Sequence, residues 1–200
     1  MRLPTLITLF LLATIAQAAP KGDDGSAPRA ALLMYDKLVG PNEADKALPL
    51  YYATTTRERA LAAVLANCDG ALANLRKKAA DKYTPEIADA MLHSLDATTA
   101  EDINAAKIEV MGDKALVTFP NSTRPTIMTK VKSEWKISVK AIAQDVQDNP
   151  RNFRKSFTRL ATLVNQTADK ISQGQYADPE EASKKLIEGY KALFASADQK

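Results

Sequence analysis

The chain has 200 residues, a formal net charge of +3, one cysteine and one histidine. Such a balance excludes the strongly basic footprint of a nucleic-acid binder. The lone Cys68 excludes an internal disulfide, and one Cys with one His excludes a His/Cys zinc set. The fold therefore has to rest on a hydrophobic core, in one domain or one domain with an appendage.

Met1-Arg2 carries one positive charge, Leu6 to Ile15 is apolar apart from threonines, and Ala16-Gln17-Ala18 fits a small-x-small cleavage pattern. The run is shorter than the roughly 20 apolar residues that span a bilayer. Residues 1–18 are expected to be a signal peptide cut after Ala18, which sends the protein to the periplasm or the extracellular space. No other stretch is apolar enough to cross a membrane. Residues 19–27, small, charged and Gly-bearing, read as a flexible leader.

A first helix is expected from Pro28 to Val39, stopped by Gly40-Pro41. A second helical stretch should run from about Ala44 to Ala53, kinked or restarted at Pro49. Leu61, Leu65, Cys68, Leu72, Leu75 and Ala79 recur at steps of four and three, the stripe of a long third helix facing a partner. Gly70 interrupts that helix at about 1 kcal/mol relative to Ala, and marks a close contact or a bend. Thr84-Pro85-Glu86 opens a short fourth helix with Ile87, Met91 and Leu95 inward.

The period then changes from 3.6 to 2. Lys107–Met111 and Lys114–Phe119 form a hairpin around Gly112-Asp113. In the run from Thr126 to Val139, Ile127, Thr129, Val131, Trp135 and Ile137 alternate with Met128, Lys130, Lys132, Glu134 and Lys136. That is one buried and one wet face if the strand is continuous, or a second hairpin if Lys132-Ser133-Glu134 turns. Beyond Asn149-Pro150 a helix carries Phe153, Phe157, Leu160, Val164, Thr167 and Ile171 to Gly174. Asp178-Pro179 then caps a last helix bearing Leu186, Ile187, Tyr190, Leu193 and Phe194. The short link makes these two an antiparallel hairpin. The expected fold is α+β and mostly helical: N-terminal helices on a small antiparallel sheet (28–145), then the C-terminal helical hairpin (146–200), packed on the main domain.

Gly112-Asp113-Lys114-Ala115 before an apolar strand, and Glu134-Trp135-Lys136-Ile137, resemble the turn-and-strand and closing-strand patterns of the NTF2-like superfamily, in particular its small exported domains. The resemblance covers residues 30–143. The chain departs from it in lacking an early hairpin between the helices and in its long helical tail. The resemblance implies a cone-shaped cavity between sheet and helices, used by family members as different as isomerases, dehydratases and binding modules. In some of those enzymes a Tyr and an Asp work in the cone.

Tyr35, Tyr51, Tyr52 and Trp135 are the candidate cavity-lining residues. No catalytic residue, cofactor or metal is assigned. His93 falls opposite the apolar side of its helix, on a solvent face, where acid–base work would need a partner and a pocket. Cys68 sits on the apolar stripe, where a thiol is inert. Arg151, Arg154, Lys155 and Arg159 oppose the dipole at the start of their helix and form a candidate anion-binding patch. The expected function is an exported, non-catalytic binding or interaction module whose partner is a small molecule or a protein. The alternatives are a cofactor-free isomerase or dehydratase, and a structural protein assembling through the C-terminal helices.

Overall fold

A computed structural model describes residues 25–120, 122, 124–145 and 150–195. The expected signal peptide and its expected cleavage site lie outside them. The fold is α+β and mostly helical. Helix α1 (Ser26–Leu38) ends at Val39, and a loop leads to α2 (Ala44–Ala47) and a 3-10 turn at Leu48–Leu50. Here the expected helical stretch to Ala53 is corrected. Pro49 offers no amide proton to an α-helical bond, so the α-helix stops at Ala47. Leu48 keeps helical angles (φ −55°, ψ −41°), the 3-10 turn runs to Leu50, and the chain extends only from Tyr51. Tyr51–Tyr52 form a short strand, β1.

Helix α3 (Thr56–Lys82) begins at a capping box. The Thr55 hydroxyl accepts from Glu58 N at 3.1 Å, and the Glu58 carboxylate accepts from Thr54 N at 2.6 Å and Thr55 N at 3.2 Å. Its expected stripe is buried at Leu61, Leu65, Cys68, Leu75 and Ala79, with Leu72 partly covered. Helix α4 (Pro85–His93) follows, then α5 (Ala100–Ala105), which the pattern of apolar residues did not announce.

Strands β2 (Lys107–Met111) and β3 (Lys114–Thr118) form the expected hairpin, with Gly112 at φ 60°. The run after it is two strands, β4 (Thr126–Val131) and β5 (Glu134–Ser138), joined by a turn at Lys132-Ser133. That turn changes the facing of residues. Across a two-residue turn Val131 pairs with Glu134 and Met128 with Ile137, so even numbers on β4 share a face with odd numbers on β5. Met128 is buried beside Trp135, and Ile127 lies on the other side, the reverse of what a continuous strand would give. The strand order is β1-β5-β4-β3-β2. Four strands are antiparallel, and β1 adds a parallel edge, Tyr51 opposite Ile137 and Tyr52 opposite Ser138.

Two cores result. Leu32 of α1, with Ile103 and Ala106, covers the inner sheet face at Ala115, Val117, Met128 and Trp135. The second core joins α3 and α4 to the C-terminal helices α7 (Pro150–Ser172) and α8 (Pro179–Ala195), around Leu75, Met91, Val164, Ile171 and Leu186. Between sheet and tail lies α6 (Val139–Asp145).

Helix α7 runs parallel to α3: Cys68 Sγ donates to Phe157 O at 3.1 Å and Asn74 Nδ2 to Asn165 Oδ1 at 2.9 Å. After Gly174 (φ 66°) the chain reverses, and Asp178 caps α8 by accepting from Glu181 N at 2.8 Å.

Candidate functional site

A partly buried polar cluster is built by three elements. Tyr35 comes from the C-terminal half of α1, Tyr51 from β1 and Asp69 from the middle of α3. Asp69 follows Leu65 by one helical turn, which places it on a covered side of α3. Gly70 beside it lets the loop at Asn42–Ala44 approach closely, and Gly70 O accepts from Asn42 N at 2.9 Å. Val39, Ala47 and Ala66 are buried around the tyrosines, with Leu50 partly covered.

The Tyr51 hydroxyl donates to Asp69 Oδ2 at 2.7 Å, and the Tyr35 hydroxyl donates to the same oxygen. The two phenol oxygens are 3.3 Å apart, and the rings meet edge to face at 6.3 Å. Burial pushes the Asp69 carboxyl up to about 6 against the pull of its two donors. Burial and the neighbouring carboxylate both push the phenols well above their ordinary range. Each phenol has one proton, and both are spent on Asp69. The arrangement holds a proton without aiming one outward.

Of the candidate cavity residues, Tyr35 and Tyr51 are thus brought together. Tyr52 points to the other side of β1 by strand alternation. Trp135 lies on the inner sheet face, 6% exposed, its Nε1 without an acceptor and Lys130 Nζ 5.7 Å from the ring centre. Asp69 is not among the sequence candidates; only its neighbour Gly70 stands out in the stripe. Its place one turn after Leu65 and one heptad after Ala62, both buried, is the signal that could have found it.

His93 is exposed, as its helix projection implies, and meets Thr99 and Asp102. Its Nε2 lies 3.1 Å from Asp102 Oδ2 and 3.2 Å from Thr99 Oγ1. A relay needs the carboxylate and the hydroxyl on opposite ring nitrogens. Here both sit on one, and Asp102 is already engaged by Thr99 N at 2.9 Å and Thr99 Oγ1 at 2.8 Å in the capping box of α5.

Arg154, Lys155 and Arg159 are exposed on α7, on the side away from its buried stripe. The backbone of Arg151 belongs to the same helix, and its side chain lies outside the described ones. Near the α7–α8 turn a half-open cleft of about 330 Å³ is lined by residues including Leu163, Lys170, Tyr176, Glu181 and Lys185. Two of its polar groups serve the hairpin itself: Glu181 accepts from Ala177 N at 2.7 Å, and Lys185 pairs with Glu188 at 3.2 Å.

Among the described residues no group of three His, Cys, Asp or Glu is placed to hold a metal, and no helix is long and apolar enough to cross a membrane. No family model, curated protein or solved structure matches the chain.

Proposed function

We propose that this chain is an exported, non-catalytic interaction module on an NTF2-like plan, with the Tyr35–Tyr51–Asp69 cluster as an internal lock rather than a reaction centre. One observation carries the reading: both phenol protons are donated to a single carboxylate oxygen. General acid catalysis needs a proton within reach of a substrate atom. Here the donors and the acceptor satisfy one another. The space where the NTF2-like resemblance implies a cavity supports the same reading, since Ala115, Val117 and Met128 are covered at 0–1% exposure.

A second reading, a cofactor-free isomerase, is favoured by the Asp69 carboxyl at about 6, a value suited to proton transfer near neutrality. Titration with a planar phenol such as 2-naphthol, followed by NMR, separates the two. The module reading expects no saturable shift at Tyr35, Tyr51 or Asp69. A saturable shift there, lost in Asp69→Asn, would replace it with the enzyme.

A further inference from the structure

We propose that the solvent face of α7 docks on an anionic phospholipid surface. This names a partner for the interaction module and rests on that reading. Four cations, Arg151, Arg154, Lys155 and Arg159, fall in the first ten residues of α7, and the helix carries no acidic residue before Asp169. The described side chains among them, Arg154, Lys155 and Arg159, are all exposed. On the helical projection they lie opposite Leu160, Val164 and Ile171, the stripe buried against the rest of the molecule. None of the three has an acidic partner among the described residues.

Two local effects make this placement unfavourable within the chain itself. Arg151 in the first turn and Arg154 just beyond it stand near the positive end of the helix dipole. Lys155 and Arg159 are like charges four residues apart, which repel across one turn. An external anion removes both penalties.

The form of the patch chooses the anion. Thr158 and Thr162, short and exposed, lie between and beyond the cations, so the long basic side chains stand as a ridge along an exposed helix face. Phe153 and Phe157 stack with each other at 4.2 Å and are partly covered on the opposite side, which leaves no aromatic platform for nucleobases. A flat, laterally continuous negative surface fits such a ridge, and each basic residue near it adds about a fivefold increase in partition. The contact is electrostatic, without an inserted side chain, and has to vanish at high salt.

The test is cosedimentation of the chain lacking residues 1–18, whose apolar run would bind vesicles by itself. Phosphatidylglycerol vesicles are compared with phosphatidylcholine vesicles at low and at roughly 0.5 M salt, where screening acts within a few ångströms. The wild type is expected to bind only the anionic vesicles and only at low salt. The triple variant Arg154→Gln, Lys155→Gln, Arg159→Gln, checked for unchanged circular dichroism, is expected to lose about a hundredfold in partition. Equal partition of variant and wild type, or absence of binding to the anionic vesicles, overturns the proposal. Binding to polyglutamate without binding to vesicles overturns it in favour of an acidic protein. These outcomes leave the Tyr35–Tyr51–Asp69 reading to the phenol titration, so the two can fail separately.

Discussion

Tyr51, on the edge strand of the sheet, and Asp69, in the middle of the longest helix, are joined by a 2.7 Å hydrogen bond. Tyr35 of α1 reaches the same carboxylate oxygen, so one acidic group ties three elements that are remote in sequence. The consequences can be measured.

Asp69 has a folded-state pKa of about 6 against an ordinary 3.8. Between those values the folded chain holds more protons than the unfolded one, so this group makes stability fall as pH rises from about 4 to 6. Above pH 6 the full penalty stands, at about 3 kcal/mol at most. Asp69→Asn removes it. Denaturant unfolding is expected to find the variant gaining on the wild type as pH rises through that window, and the two curves running parallel above it.

Gly70 is needed for the close approach of the loop before α2. A Cβ there would stand 3.2 Å from Glu43 N and 3.3 Å from Ala44 N, both backbone atoms. Gly70→Ala adds about 1 kcal/mol of helix propensity, but displacing packed backbone costs about 1–3 kcal/mol. A net loss of about 1 kcal/mol is expected, read as a lower denaturation midpoint.

Much of this architecture is legible in the sequence, and the exceptions have physical causes. The stripes of α3 and α7 announce themselves because helix burial repeats over many turns. β1 does not: two residues have no period, and their pairing with Ile137 and Ser138 is a long-range contact. α5 is short and depends on its capping box, Thr99 with Asp102, more than on an apolar face. The facing of β4 depended on whether Lys132-Ser133 turned. Lys132 adopts φ 59° without being glycine, so its type gave no turn signal. Two of the three residues of the polar cluster were visible as candidates. The third, Asp69, was hidden because a carboxylate inside a helix reads as surface until its partners are placed.

Cys68 is covered by α7, and burial, with the Asp69 charge added, pushes its thiol up to about 12. A thiolate is the reactive species. Native labelling by a disulfide reagent near pH 8 is expected to be slow and to match the rate of global unfolding. Cys68→Ala is expected to lower stability by about 1–2 kcal/mol, as for a small buried side chain.

Ending the chain at residue 149 removes α7 and α8. It uncovers Leu75 and Ala79, both at 0% exposure, together with Cys68, Met91 and the partly buried Leu72. Losing cover from large apolar side chains costs about 1.5–3 kcal/mol each. The truncated protein is expected to lose its cooperative unfolding transition and to bind a hydrophobic dye, as monitored by fluorescence during denaturation. An intact transition with unchanged midpoint would show the tail to be dispensable.

The closed state of the polar cluster is most directly read by spectrophotometric titration of the tyrosines at 295 nm, comparing the wild type with Tyr35→Phe/Tyr51→Phe. The chain has six tyrosines. In a closed lock Tyr35 and Tyr51 keep their protons well above the ordinary phenol range. The wild-type minus variant difference should therefore stay at zero until alkaline unfolding releases both together. A reversible difference signal near pH 10 or below, in protein that remains folded, would mean that the phenols are open to solvent and would contradict the lock.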